Sequence, residues 1–307
     1  MDVTLGLDQL TGSNPSVVTV GTFDGIHLGH RKLIGKVVDI ARKNEMQSTL
    51  LTFDPHPKAV VAQKTQDKLC LLTNLDEKLE LLQNLGLERV VIIKFTREFS
   101  EIDYLAFVNQ ILLDRLKTRI LVVGHDHAFG RDRAGDISTL KKMSNALGFE
   151  LIEVGPFTLG NKTVSSTIIR RLISEGSVEE AATMLGRPYS LSGVVTRGDG
   201  RGKRLTYPTA NLAISNHIKL VPQGGVYAVD CRLRNTVYRG MANIGTKPTF
   251  GGLNKTLEIH LIDFEGNIYG EQITISFLKR LRDEKKFNSE TQLIEQLTID
   301  KQQSMKI

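Results

Sequence analysis

Two histidines three residues apart stand in the run Thr19-Val20-Gly21-Thr22-Phe23-Asp24-Gly25-Ile26-His27-Leu28-Gly29-His30. A β-branched stretch enters a glycine-punctuated turn. A helix-period pattern of Leu33, Val37 and Ala41, with Ile34 and Val38 beside them, leaves it. Strand, glycine turn and helix aim backbone N–H groups at an anion, and His27 and His30 at a helix start reach one ligand together. The segment reads as a nucleotide-phosphate site. A tight strand-to-helix turn with two surface histidines is the plain structural alternative.

Further chemistry-bearing segments follow. Asp54-Pro55-His56-Pro57 is a loop stiffened by two prolines, and a rigid structural turn explains it equally well. Gly124-His125-Asp126-His127-Ala128-Phe129-Gly130-Arg131-Asp132-Arg133 lacks the glutamate or cysteine that would complete a metal set. It fits a nucleotide-contacting loop, with Asp126 accepting from ribose hydroxyls or the adenine amino group. Ser165-Ser166-Thr167-Ile168-Ile169-Arg170 sets capping hydroxyls one turn before a cation, as a plain N-cap or as a holder of a phosphate pair.

The second half has its own candidates. Gly198-Asp199-Gly200-Arg201-Gly202-Lys203-Arg204 fails the Walker A spacing, yet its glycines leave backbone amides free to cover phosphates. In Pro208-Thr209-Ala210-Asn211-Leu212, alternation puts Thr209 and Asn211 on one face, as hard oxygen donors suited to Mg²⁺. In Thr256-Leu257-Glu258-Ile259-His260-Leu261 the same alternation brings Glu258 and His260 out together, and Glu258 is placed to take a proton from a hydroxyl. Simple amphipathic alternation is the alternative for each strand.

The elements that must hold these residues change character near residue 185. Before it, strands are expected at 17–20, 49–53, 90–94, 120–123 and 150–154, with helices after His30 and around 76–85, 103–116 and 138–147. Repeated strand–helix units imply a parallel, doubly wound sheet with ligands at the strand C-terminal ends. A helical region, 165–185, then precedes short strands near 191–195, 227–233, 236–241, 256–264 and 272–277, which imply an antiparallel barrel or sandwich; a closing helix is expected over 289–300. The division is placed at 1–184 and 185–307.

Composition narrows the function classes. The two cysteines, Cys70 and Cys231, lie outside any metal-ligand spacing, there is no apolar run long enough to span a membrane, and no secretion signal opens the chain. A cytoplasmic protein is expected. The net charge of +6 is gathered in arginines and lysines of glycine-rich or polar segments, which suits small polyanions better than nucleic acid.

Taken in order, the segments resemble the bacterial bifunctional riboflavin kinase/FAD synthetase family over nearly the whole chain. The 21–30 turn resembles the H-x-G-H motif of nucleotidyltransferases. The kinase half adds Gly225-Val226-Tyr227-Ala228, Ala242-Asn243-Ile244-Gly245-Thr246-Lys247-Pro248 and Phe277-Leu278-Lys279-Arg280-Leu281-Arg282-Asp283-Glu284-Lys285-Lys286-Phe287. The resemblance implies a Rossmann-like adenylyltransferase domain followed by a six-stranded antiparallel barrel kinase. ATP, riboflavin, FMN and FAD are the implied substrates or products, with Mg²⁺ as cofactor. His27, His30 and Glu258 would be catalytic. ATP or its phosphates would meet Gly21, Phe23, Asp24, Gly29, Asp126, Ser165, Ser166, Thr167, Arg170, Gly198, Gly200, Gly202, Lys203, Pro208 and Asn211. Thr209 and Asn211 would hold the metal, and Phe53, His56 and Pro57 the flavin. This chain departs from the pattern at His127, where the family often has an aromatic residue, and at Ala128, where arginine is common. No nucleic-acid or membrane partner is expected, and the chain is expected to be a monomer or weak homo-oligomer. A kinase with an altered first domain and a flavin-binding carrier without turnover are the competing classes.

Overall fold

The structure is a computed structural model that describes residues 1–10, 14–61, 69–125, 135–197, 207–214, 216, 218–249 and 252–307. Its backbone contacts divide the chain into two compact units, Met1–Ser165 and Ser166–Ile307.

In the first unit, β1 (Asp2–Leu5), β2 (Ser16–Val20), β3 (Gln47–Asp54), β4 (Arg89–Lys94), β5 (Thr118–Gly124) and β6 (Glu150–Val154) form one six-stranded sheet. Every pairing in it is parallel, in the order β1-β4-β3-β2-β5-β6. The chain turns from one side of β2 to the other between β3 and β5, so the crevice beyond the carboxyl ends of β2 and β5 is the topological switch point. Helices α1 (Leu28–Lys43), α2 (Pro57–Val61), α3 (Leu75–Gln83), α4 (Arg97–Ser100) and α5 (Tyr104–Ala106) follow the strands, with α6 (Ile137–Leu147) before β6. A small hairpin, β7 (Thr158–Leu159) and β8 (Lys162–Thr163), ends the unit.

The alternating side chains of each strand feed two cores. Val17, Leu50, Val90, Ile92, Ile120 and Val122 pack with Ile34, Val37 and Ala41 of α1 and Leu82 of α3. Val18, Leu51, Val91, Ile93, Leu121 and Val123 pack on the other face with Phe107, Ile111, Leu112 and Leu140. Each fully buried aliphatic side chain contributes about 1.5–3 kcal/mol. The apolar runs of these strands thus reflect burial on both faces.

One expected α-helix has a different winding. After α5 the chain continues as a π-helix over Phe107–Arg115, and Leu116 N donates to Ile111 O at 3.0 Å. The wider turn keeps Phe107, Val108, Ile111 and Leu112 buried on the sheet.

The second unit opens with two helices, α7 (Ser166–Ser174) and α8 (Val178–Leu185), in place of one continuous helical region. Gly176, at φ +82°, makes the break between them. Strands β9 (Tyr189–Thr196), β10 (Ala210–Ile214), β11 (Gly225–Leu233), β12 (Thr236–Thr249), β13 (Gly252–Leu261) and β14 (Gln272–Arg282) close a barrel in the order β10-β13-β12-β11-β14-β9. All its pairings are antiparallel. β12 runs well beyond the expected 236–241. Leu191, Leu212, Val229, Ile244, Ile259 and Ile275 are among the residues buried in this unit. The closing helix α9 (Glu290–Met305) is tied to β14 by Arg282, whose guanidinium donates to both oxygens of Asp300 at 2.8–3.1 Å.

Candidate active sites

The first site is built where β2 meets α1. Between them the backbone takes left-handed values at Phe23 (φ 47°), Gly25 (φ 89°) and Ile26 (φ 41°). A β-branched residue there is strained by about 1–3 kcal/mol, so the turn must be held from outside. Asp24 does part of this. It is 2% exposed, and its carboxylate accepts from Leu72 N, Thr73 N and Thr73 Oγ1 at 2.9–3.2 Å. Thr73 Oγ1 accepts in turn from Gly25 N at 3.0 Å.

His27 is the N-cap of α1, and its Nδ1 accepts from His30 N at 3.2 Å. A neutral His27 bonded this way carries its proton on Nε2. The two rings stack with centroids 3.6 Å apart and planes 16° from parallel. Phe23 meets the His30 ring edge-on at 5.2 Å. No acidic residue stands in the first turn of α1, so its N-terminal field stays favourable to an anion. Gly29 makes room for the pair, because a Cβ there would lie 3.2 Å from the His27 ring, tighter than ordinary contact. Gly21 stands equally close to the Phe23 ring.

Phe53, the penultimate residue of β3, lies within an aromatic group, its ring 5.5 Å from Phe95 and 6.0 Å from Phe99. His56 accepts from Lys58 N through Nδ1, and Pro57 begins α2. All three candidate flavin contacts therefore sit at the carboxyl end of the sheet. Ser165 ends the first unit, and Ser166, Thr167 and Arg170 lie on α7 in the second.

The second site is a row of side chains on the barrel. Asn211 pairs directly with Glu258, Glu258 with Asn243, and Asn211 with Thr196. Residues opposed in this way share a face and lie about 4.5–5.5 Å apart at Cβ. On the opposite face Ala210, Leu212, Leu257 and Ile259 are buried. Thr209 precedes β10, two positions from Asn211, with exposed Pro208 before it. Next along the row's face, a Cβ at Gly245 would lie 2.5 Å from Glu284 Oε1, so a second carboxylate leans over that glycine.

His260 does not emerge with Glu258 as the alternation implied. It is 8% exposed, its Nδ1–H donates to Pro208 O at 2.9 Å, and Tyr207 covers its ring at 5.2 Å. Burial pushes its pKa below the usual 6.5, against the pull of that hydrogen bond.

Each half of the chain matches a family model: FAD synthetase over residues 10–168 and riboflavin kinase over 185–307. A bifunctional riboflavin kinase/FMN adenylyltransferase of Listeria monocytogenes is 38% identical, over 96% of this chain and 93% of its own. Its counterpart in Buchnera aphidicola is 36% identical, over 98% and 96%. The chain belongs to the bifunctional riboflavin kinase/FMN adenylyltransferase family. Like other members it phosphorylates riboflavin to FMN and adenylylates FMN to FAD, with ATP as the second substrate of both steps. A solved structure described as a macrolide-efflux protein from Streptococcus pneumoniae superposes with a TM-score of 0.91 at 32% identity, covering 99% of this chain and 98% of that one.

Asp126, Gly198, Gly200, Gly202 and Lys203, with the departures His127 and Ala128, lie outside the described residues. Asp24, a candidate phosphate contact, is buried beside the turn with its carboxylate bonded to Leu72 and Thr73. Asn243, inside the Ala242–Pro248 motif, joins the row through strand pairing. Its signal was present, since it is the polar member of the otherwise apolar run Met241-Ala242-Asn243-Ile244.

Proposed function

We propose that the Asn211–Glu258–Asn243 row phosphorylates riboflavin and that the 21–30 turn transfers AMP to the resulting FMN. The direct pairing of Asn211 with Glu258 carries the first assignment, because it sets a possible base beside an oxygen donor suited to nucleotide. Glu258 takes the 5′-hydroxyl proton as that oxygen bonds to the γ-phosphorus of ATP and ADP leaves. Thr209 and Asn211 offer hydroxyl and amide oxygens, and among the described residues no cluster of three or more His, Cys, Asp or Glu side chains competes for a metal. That donor set fits a Mg²⁺ arriving with the nucleotide. Such an ion, when bound, would neutralise phosphate charge. Pro208 and the loop carrying Gly198, Gly200, Gly202 and Lys203 would border the nucleotide.

In the second reaction a phosphate oxygen of FMN attacks the α-phosphorus of ATP, and pyrophosphate leaves without a covalent enzyme intermediate. His27 contributes Nε2–H, since Nδ1 is occupied as the helix cap, and His30 stacks beside it. The Phe23 and Gly29 backbones line the phosphate path, and Gly21 admits the Phe23 ring. Asp126 meets the nucleoside, while Ser165, Ser166, Thr167 and Arg170 receive the departing pyrophosphate. Phe53, His56 and Pro57 form the flavin side.

By activity the chain divides at 184/185, although α7 and α8 group with the barrel by contact. The use of ATP in both steps supports a cytoplasmic location, and the chain acts as a monomer or weak homo-oligomer. Among the described residues no helix is long and apolar enough to cross a membrane.

The test is a chromatographic time course with riboflavin, ATP and Mg²⁺. Wild-type protein should show FMN first and FAD after it. Glu258→Gln should slow FMN formation by ~10²–10⁴-fold while still converting supplied FMN. His27→Ala/His30→Ala should do the reverse. Equal loss of both activities in either variant would refute two separate sites.

A further inference from the structure

We infer that Lys78, a buried residue of α3, is a positioning residue for adenylyl transfer: its ammonium holds the 21–30 turn in its phosphate-binding shape. The inference rests on the reading of that turn as the ATP site.

Lys78 lies one residue after the capping box that Asn74 and Glu77 form at the start of α3, and it is 7% exposed. Its Nζ donates to Thr22 O at 2.8 Å and to Thr52 Oγ1 at 3.3 Å, and Thr52 Oγ1 donates to the same carbonyl at 3.3 Å. One cation thus joins the last residues of β3 to the peptide that enters Phe23, where the backbone turns left-handed. The sequence around it supplies the complementary clamp. Leu72 and Thr73, a few residues before Lys78, bind the Asp24 carboxylate, and Thr73 holds Gly25 N. The turn is therefore gripped at its carbonyl side by an ammonium and at its amide side through a carboxylate, both through the segment 72–78.

Burial lowers the Lys78 pKa, and Asp24 and Asp54 oppose that shift. A buried cation costs stability unless it is matched, and this one is matched by a backbone carbonyl and two nearby carboxylates. An apolar side chain would fill the same space more cheaply if space filling were the only role. The position of the ammonium at the strained peptide indicates that holding the loop is what the charge does.

The test uses the full chain, supplied FMN and ATP. Lys78→Met should raise KM for ATP in FAD formation by about tenfold or more, the effect of one lost charge-assisted hydrogen bond. kcat should change much less, and riboflavin phosphorylation should not change. Lys78→Cys aminoethylated in denaturant and refolded, which rebuilds a lysine-like side chain at this buried position, should restore KM, with equally treated wild-type protein as control. Should Lys78→Met fail to fold, Thr52→Val removes only the hydroxyl link and should raise KM in the same direction by a smaller factor. An unchanged KM in the folded variants, or failure of the rebuilt side chain to rescue, overturns the role of Lys78. If FAD formation also survives in His27→Ala/His30→Ala, the site reading itself has failed; if it is lost there alone, only the role of Lys78 has.

Discussion

At the scale of single residues, His27 has a structural task beside the chemical one proposed for it. As N-cap it satisfies His30 N, which is worth about 1 kcal/mol, and that bond leaves Nε2–H as its donor. The same residue type behaves differently in the barrel. His260 is closed off by Tyr207 and donates to Pro208 O, and burial sets its pKa below the ordinary 6.5. The unfolded chain then binds a proton there more readily than the folded one. Stability from this residue is complete above about pH 6.5 and declines as the pH falls below it, towards the lower folded pKa. Thermal unfolding compared at about pH 7.5 and 5.5 should show a larger loss for wild-type protein than for His260→Asn, whose amide still donates to Pro208 O. Equal losses would remove His260 as a source of acid sensitivity. Sequence alternation did show which residues share the Glu258 face. It did not show that Tyr207, distant in the chain, covers His260.

At the scale of elements, the strand–turn–helix unit around His27 was legible because each part carries its own local signal. Val17 to Val20 are β-formers, the glycines break the chain, and Leu33, Ile34, Val37 and Val38 repeat at helical spacing. The π-helical winding of Phe107–Arg115 was not legible, since its apolar pattern also satisfies an α-helix. Neither was the short edge strand β1, too brief to display a pattern. The closing helix depends on a pair that only folding brings together. Asp300 is 1% exposed and takes the Arg282 guanidinium through both oxygens, with Gln296 as a further donor at 2.9 Å. Arg282→Met leaves a buried carboxylate without its cation and should destabilise the barrel by about 3 kcal/mol in urea unfolding. Adding Asp300→Leu should return much of that loss, because an apolar pair of similar volume needs no charge balance.

At the scale of the whole molecule, two compact units carry two reactions whose common intermediate, FMN, is a small soluble molecule. On the proposed assignments, Glu258→Gln protein should make little FMN, and His27→Ala/His30→Ala protein should consume little of it. A mixture of the two should form FAD from riboflavin, with a lag that shortens as protein concentration rises. Failure of the mixture, with each variant retaining its own remaining activity, would mean that FMN is not released between the steps.

The order of the motifs along the chain and the parallel and antiparallel halves were determined by sequence alone. They depend on local periodicity and on residue chemistry, which neighbours in the chain reveal. Only tertiary structure decided that Asn211 and Asn243 flank Glu258, that Asp24 faces Thr73 beneath the turn, and that Lys78 reaches Thr22. Those contacts span 15 to 56 positions of sequence, and strand register and helix packing, which no local pattern records, bring them together.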